Sequence, residues 1–320
     1  MRLPRQEIRQ PGGCLNQKLE EKQCSSTRPV IRRLFQPRRA LLMENSLPTG
    51  PLVAARSLPI YPTLSESWAV LGWYLLSALM IGGGTYPLLR ATGLPAAYRT
   101  IATTTVTNVA LIAFLRWKAG SRWPHWRLLG QARPWHFAVL PLVVVANLQV
   151  RSLTEFARLT SNMTPVFEEL RQHIGVTMLY GIIIAPLLEE LLFRGILLNG
   201  LLRAYAPWVA IAQSALLFGL IHFNPPQCLS AGLLGLLLGW LYYRTRSLGL
   251  CIALHVLNNG LGFAGIYLLP DAWQHADTLA AMYPSPAHYA AAVGLSGVLL
   301  GAFGYGVRQS TTVEIVTEVV

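Results

Sequence analysis

Apolar positions in this chain neither alternate nor follow a narrow helical stripe. After Glu66 they fill whole runs of about 17 to 22 residues, separated by short polar breaks. Such a run is apolar all round a helix and long enough to cross roughly 30 Å of hydrocarbon. The pattern predicts eight membrane helices, at 67–88, 101–116, 136–150, 174–203, 207–222, 228–243, 248–269 and 287–307. The third is short and the fourth unusually long. The expected fold class is all-α, a polytopic helical domain over 66–308 followed by a C-terminal tail at 309–320. Composition strengthens this reading: 53% of residues are hydrophobic and only 12% charged, against roughly 25% charged in soluble domains. A soluble fold would need one very large core with almost nothing to coat it.

Charge adds a direction. The net charge is +12, and 11 of the 26 Lys and Arg precede residue 65, opposed there only by Glu7, Glu20, Glu21 and Glu44. Segment 1–65 has no sustained periodicity and reads as a basic, disordered lead-in, with Met43 as a second candidate start. Its basic character invites a nucleic-acid reading. Cytoplasmic flanks of membrane helices carry the same enrichment, so no nucleic-acid partner is expected. Arg116, Lys118, Arg122, Arg127 and Arg133 place the loop between the second and third helices in the cytoplasm, and an even span count then puts both termini there. Arg151, Arg158 and Arg171 fall on the outer side, where 151–172 is expected to form an interfacial amphipathic helix. The four cysteines have no metal-ligand spacing, and Cys228 and Cys251 read as small apolar fillers.

Against this background a few polar residues stand out. From Ile174 to Leu269 the only carboxylates are the adjacent Glu189 and Glu190, in the stretch "LLEELLFR". An ionisable group at membrane depth costs at least about 2.5 to 3.5 kcal/mol, so it must be paired or face a polar cavity. Glu190 and Arg194 are four residues apart, on one helix face and in the favourable order for an ion pair. Glu189 is rotated about 100° from Glu190 and must look to other helices. Two of those carry histidines: "FGLIH", Phe218 to His222, and "HVLNN", His255 to Asn259. Taking the turn near residues 205 and 206 as a ruler, Glu189 and His222 lie about 16 residues either side and at one height. His255, about ten residues from its own turn near Thr245, is offset by roughly 9 to 10 Å unless the fourth helix protrudes. A buried carboxylate beside a histidine can hold and deprotonate a water, while a second histidine and an amide can stabilise an oxyanion. Glu189, His222 and His255 are also a chemically suitable zinc set, although HExxH spacing is absent, so both readings stay open.

The three motifs, "EELLFR", "FGLIH" and "HVLNN", in this order on successive apolar segments, resemble the CPBP family. This is the family of CAAX-protease and bacteriocin-processing membrane enzymes, also called Abi or Rce1-like. Its EExxxR, FxxxH and HxxxN patterns are all intact within 174–269. The resemblance implies an eight-helix intramembrane endopeptidase, one branch of which removes the C-terminal tripeptide from prenylated CAAX proteins. Carried over residue by residue, it implies that Glu189 and His222 activate the water and that His255 and Asn259 bind the oxyanion. Glu190 and Arg194 match the motif as a supporting ion pair, with Phe218 also in support. Whether a divalent metal such as zinc assists is left open by the motifs. The expected partners are the lipid bilayer and a membrane-associated protein or peptide, and the expected location is a multi-pass position in the plasma or inner membrane. Two other classes compete. One is a scaffold or bacteriocin-immunity protein with the fold retained; the other is a proton-coupled transporter, against which no inverted repeat is visible.

Overall fold

The computed structural model describes residues 61–161, 172–268 and 278–313, with only the backbone of 266–268. Among them the chain forms eight principal helices and no strand. These are α1 (Leu64–Arg90), α2 (Ala96–Ala119), α3 (Leu140–Arg151), α4 (Ile174–Ala204), α5 (Pro207–Leu220), α6 (Pro225–Thr245), α7 (Leu248–Leu268) and α8 (Pro286–Ser310). Their order matches the eight apolar runs. By length and composition, four stretches are long and apolar enough to cross a membrane: Leu64–Arg90, Ile174–Ala204, Leu248–Gly265 and Pro286–Ser310. The chain is an integral membrane protein, with four rather than eight spans supported on that criterion. At about 1.5 Å per residue, the 12 residues of α3 and the 14 of α5 cover only about 18 and 21 Å.

Local chemistry explains where the helices depart from the periodicity. α1 starts three residues earlier than predicted because Thr63 caps it: Thr63 Oγ1 accepts from Glu66 N at 3.2 Å, and Glu66 Oε2 accepts from Thr63 N at 2.8 Å. Tyr61, assigned above to the lead-in, is buried against the bundle. Residues 1–60 of that lead-in lie outside the described residues, and 62–65 form the cap and first turn of α1. The predicted third helix is broken into Pro134–Ala138 and α3, with Pro141 unable to donate a backbone bond across the break. The fifth stops at Leu220, so His222 sits in the turn after it rather than in the helix. Phe223 follows with φ +49° and Pro225 then opens α6, so the chain reverses quickly.

α4 is the central helix. Leu192, Phe193, Ile196, Leu197, Leu198 and Leu201 are each at most 2% exposed, so this helix is enclosed by its neighbours over these turns. Two clusters meet on it: one includes Ile211, Leu238, Tyr242 and Leu254, the other Leu111, Leu115 and Phe218. α5 and α6 approach closely along small residues. A Cβ at Gly219 would come within 2.5 Å of the Cys228 carbonyl oxygen, and one at Gly235 within 3.0 Å of Ala215 Cα.

The C-terminal ends of α4 and α6 and the N-terminal end of α7 are covered by the loop that follows α2. Leu248 N and Gly249 N donate to the carbonyls of Arg127 and Leu128 at 3.0 and 2.8 Å, and Ser247 Oγ donates to the Leu128 carbonyl at 2.9 Å. Gly130, at φ +53°, lies against the backbone of Thr245 and Arg246 where no side chain fits. The turn between α6 and α7 is therefore sunk, with Thr245 and Ser247 fully buried. A depth ruler anchored at that turn, as used above for His255, starts too far out. Of the predicted interfacial helix at 151–172, residues 162–171 lie outside the described residues, and Ser152–Ala157 is a 3-10 helix. The tail at 309–320 begins pinned, since Arg244 Nη2 donates to the Thr311 carbonyl at 2.7 Å and Gln131 Nε2 to that of Thr312 at 2.9 Å.

Candidate functional site

The two glutamates lie in a short α-helical stretch of α4, Ala185–Glu190, flanked by wider π-helical turns at Leu179–Ile184 and Leu191–Leu198. π turns shift the register of side chains and loosen the backbone bonding, and they concentrate at functional positions. Here Gly181, in the first π stretch, presents its carbonyl to Asn259 Nδ2 at 2.8 Å. A pure 100° periodicity could not place these faces.

Glu190 is spent on structure. It is fully buried, and its Oε1 accepts from Arg194 Nη1 at 2.8 Å and from His255 Nδ1 at 2.8 Å. Arg194, also fully buried, donates from Nη2 to the Gly235 carbonyl at 3.2 Å and lies 4.5 Å over the ring of Phe218. The ion pair expected from the four-residue spacing is therefore present, and it has a third member that spacing could not show. His255 is held by its Nδ1–H, which turns Nε2 toward Glu189.

Glu189 differs from its neighbour. Its side chain is 21% exposed, and among the described residues its one close charged neighbour is His255, with Oε2 3.8 Å from Nε2. That separation is too long for a direct hydrogen bond. Tyr74 on α1 and Tyr180 on α4 lie within electrostatic range of Glu189. Neither tyrosine was signalled by the motifs.

His222 reaches the same region by another route. Its Nδ1 lies 2.9 Å from the Phe218 carbonyl, which can only accept, so Nδ1 carries the proton and neutral His222 keeps Nε2 as an acceptor. Phe218 stands between the two imidazoles, 5.4 Å from His222 and 5.7 Å from His255, at 85° to each. The phenyl ring thus spaces both histidines and supports Arg194. Among the described residues no hydrogen bond joins Glu189 to His222. The charged neighbour of Glu189 is His255, and His222 is linked to that histidine through the ring of Phe218.

Asn259 is held between Gly181 and Asn258, whose Nδ2 donates to Asn259 Oδ1 at 3.0 Å. One N–H of the Asn259 amide remains after the bond to Gly181. Asn258 in turn accepts at Oδ1 from Arg151 Nη1 at 2.8 Å. Arg151, placed by sequence in an outer loop, is instead turned inward at the end of α3, where Nε and Nη2 both meet Ser230 Oγ, at 3.1 and 2.6 Å.

Among the described residues no three His, Cys, Asp or Glu side chains are grouped so as to hold a metal ion. The Nδ1 atoms of His255 and His222 are committed to Glu190 and to the Phe218 carbonyl. Cys251 is fully buried, as expected of a filler.

The family model described as type II CAAX prenyl endopeptidase, Rce1-like, matches residues 171–261, which contain all three motifs. This segment of the chain is thereby Rce1-like, as the motifs suggested. Neither a curated protein nor a solved structure matches the chain.

Proposed function

We propose that this protein is an intramembrane endopeptidase that hydrolyses a peptide bond near the C-terminus of a membrane-bound substrate, using a water activated by Glu189 and His222. The observation that carries the reading is the division between the two adjacent acids. Glu190 is consumed by Arg194 and His255, whereas Glu189 is partly accessible and has no direct hydrogen-bond partner among the described residues. The match of 171–261 to the Rce1-like model supports protease chemistry and a CAAX-type substrate. All eight helices would then contribute to the membrane domain, with both termini cytoplasmic.

In the proposed reaction the Glu189 carboxylate takes a proton from water as its oxygen attacks the scissile carbonyl carbon, with His222 Nε2 as the second proton acceptor in the chamber. The negative charge that develops on the carbonyl oxygen is met by the remaining N–H of Asn259 and by His255, which acts here as the imidazolium, one N–H on Glu190 and the other, at Nε2, on the oxyanion. Transfer of the held proton to the leaving nitrogen breaks the C–N bond and releases an amine, leaving a new carboxylate. Glu190 holds His255 at Nδ1, as a carboxylate orients a catalytic imidazole. Phe218 keeps the two histidines apart.

The test is cleavage of a peptide with a prenylated cysteine four residues from its end by purified protein in lipid nanodiscs. Glu189→Gln and His222→Ala are expected to lower kcat by about 100-fold to 10,000-fold, the usual worth of a positioned acid or base. Full activity in either variant would overturn the assignment. No cleavage by the unaltered protein would favour the scaffold reading of the same fold.

A further inference from the structure

A half-buried cation stands near the proposed oxyanion amide with no counter-charge among the described residues. Arg151 bonds only to neutral partners, the Ser230 hydroxyl and the Asn258 carbonyl, and among the described residues no carboxylate pairs with it. A guanidinium inside a membrane protein without a counter-charge is costly and marks a functional site by default. Of its five N–H donors these bonds use three, leaving one on each terminal nitrogen for a further acceptor such as a carboxylate. One turn earlier on the same face of α3, Asn147 is 6% exposed and its Nδ2 has no partner, a second donor in want of an acceptor.

Resting on the peptidase reading above, we propose that Arg151, with Asn147 in support, receives the free C-terminal carboxylate of the substrate and so makes the enzyme read chain ends. The spacing fits a short released peptide. Between the guanidinium and Asn259 lie two hydrogen bonds, of 2.8 and 3.0 Å, and the Asn258 amide, a span of about 6 to 9 Å. An extended chain covers that span in two to three residues at about 3.3 Å each. The carboxylate would anchor the end of the peptide while the bond two or three residues upstream lies against His255 and Asn259. A purely structural arginine, cross-linking α3, α6 and α7, would hold the helices but would be indifferent to the charge of the substrate terminus.

The test uses the full chain in nanodiscs with two probes: the prenylated peptide ending in three aliphatic residues as a free acid, and its C-terminal amide. The unaltered protein is expected to prefer the acid by about 10-fold to 100-fold in kcat/KM, the worth of a lost charged hydrogen-bond pair, mainly through KM. In Arg151→Gln the acid-to-amide ratio falls toward one, and in Arg151→Lys it is partly restored. The ratio is taken within one preparation, so a misfolded fraction cancels. An unaltered protein that cleaves both probes equally, or an Arg151→Gln variant that keeps the acid preference, overturns this inference and leaves the peptidase reading intact. Cleavage of neither probe by the unaltered protein sinks the peptidase reading, and the inference falls with it.

Discussion

Replacing one of two adjacent glutamates should damage stability, and replacing the other should damage only catalysis. Glu190→Gln removes the charge that neutralises Arg194 at zero exposure and weakens two hydrogen bonds of 2.8 Å, to Arg194 and to His255. Breaking a buried pair from one side costs about 3 to 5 kcal/mol, because the remaining charge stays buried. The glutamine carbonyl still accepts one bond, which favours the lower figure. At roughly 2 to 4 °C per kcal/mol for chains of 150–250 residues, about 3 kcal/mol lowers Tm by about 6 to 12 °C. Glu189→Gln loses only a 3.8 Å contact at 21% exposure and should cost under about 1 kcal/mol. Thermal unfolding of purified protein in one detergent, followed by intrinsic fluorescence, compares the two directly. Glu190→Gln/Arg194→Met removes both charges and should recover part of the loss, since neither ion is then left alone. Equal shifts for Glu189→Gln and Glu190→Gln, or an unchanged Tm in Glu190→Gln, would refute the division of roles on which the proposed mechanism stands.

Two further outcomes follow from the packing. Gly219→Ala should lower Tm by several degrees in the same assay, because its Cβ meets the Cys228 backbone carbonyl at 2.5 Å and the α5 and α6 seam must open. Glu155, outside the membrane helices, accepts from Leu279 N at 2.7 Å, yet burial raises its pKa above the ordinary carboxylate value and that bond only partly offsets the effect. A raised folded-state pKa means that the folded form binds the proton more tightly, so this contribution to stability is present below the unfolded value of 4.5 and is lost as pH rises through the folded one. Glu155→Gln keeps the acceptor and should flatten that part of the profile of Tm against pH.

The order of the helices and the identity of the polar residues were legible in the sequence because both depend on composition alone. Apolar runs give the segments, and Glu189, Glu190 and Arg194 are conspicuous in hydrocarbon whatever their geometry. The Glu190 to Arg194 pair was legible too, since four residues of helix suffice to define it. What failed to show depends on long-range packing. His255 could not be placed against Glu190 because the loop at 127–131 buries the turn from which its depth was measured. The π turns on either side of Ala185–Glu190 displace faces that a 3.6-residue period would extrapolate. Arg151 looked like an ordinary outer charge because a side chain that long can turn inward without any trace in the local pattern.

These observations bear on why two acids sit side by side in the motif. A single glutamate could neutralise Arg194 or serve as a base, but not both, because a fully buried carboxylate that balances Arg194 has no access to a water, and protonating it would leave Arg194 without its counter-charge. Splitting the tasks lets Glu190 fix Arg194 and His255, with Phe218 wedged between that assembly and His222. The adjacent residue, about 100° further round the helix and 21% exposed, then stands beside an assembly that is already held in place. Position 189 has to be acidic for the proposed chemistry, whereas position 190 has to be acidic to hold Arg194 and His255, and exchanging the two roles would require rebuilding the packing around Phe218.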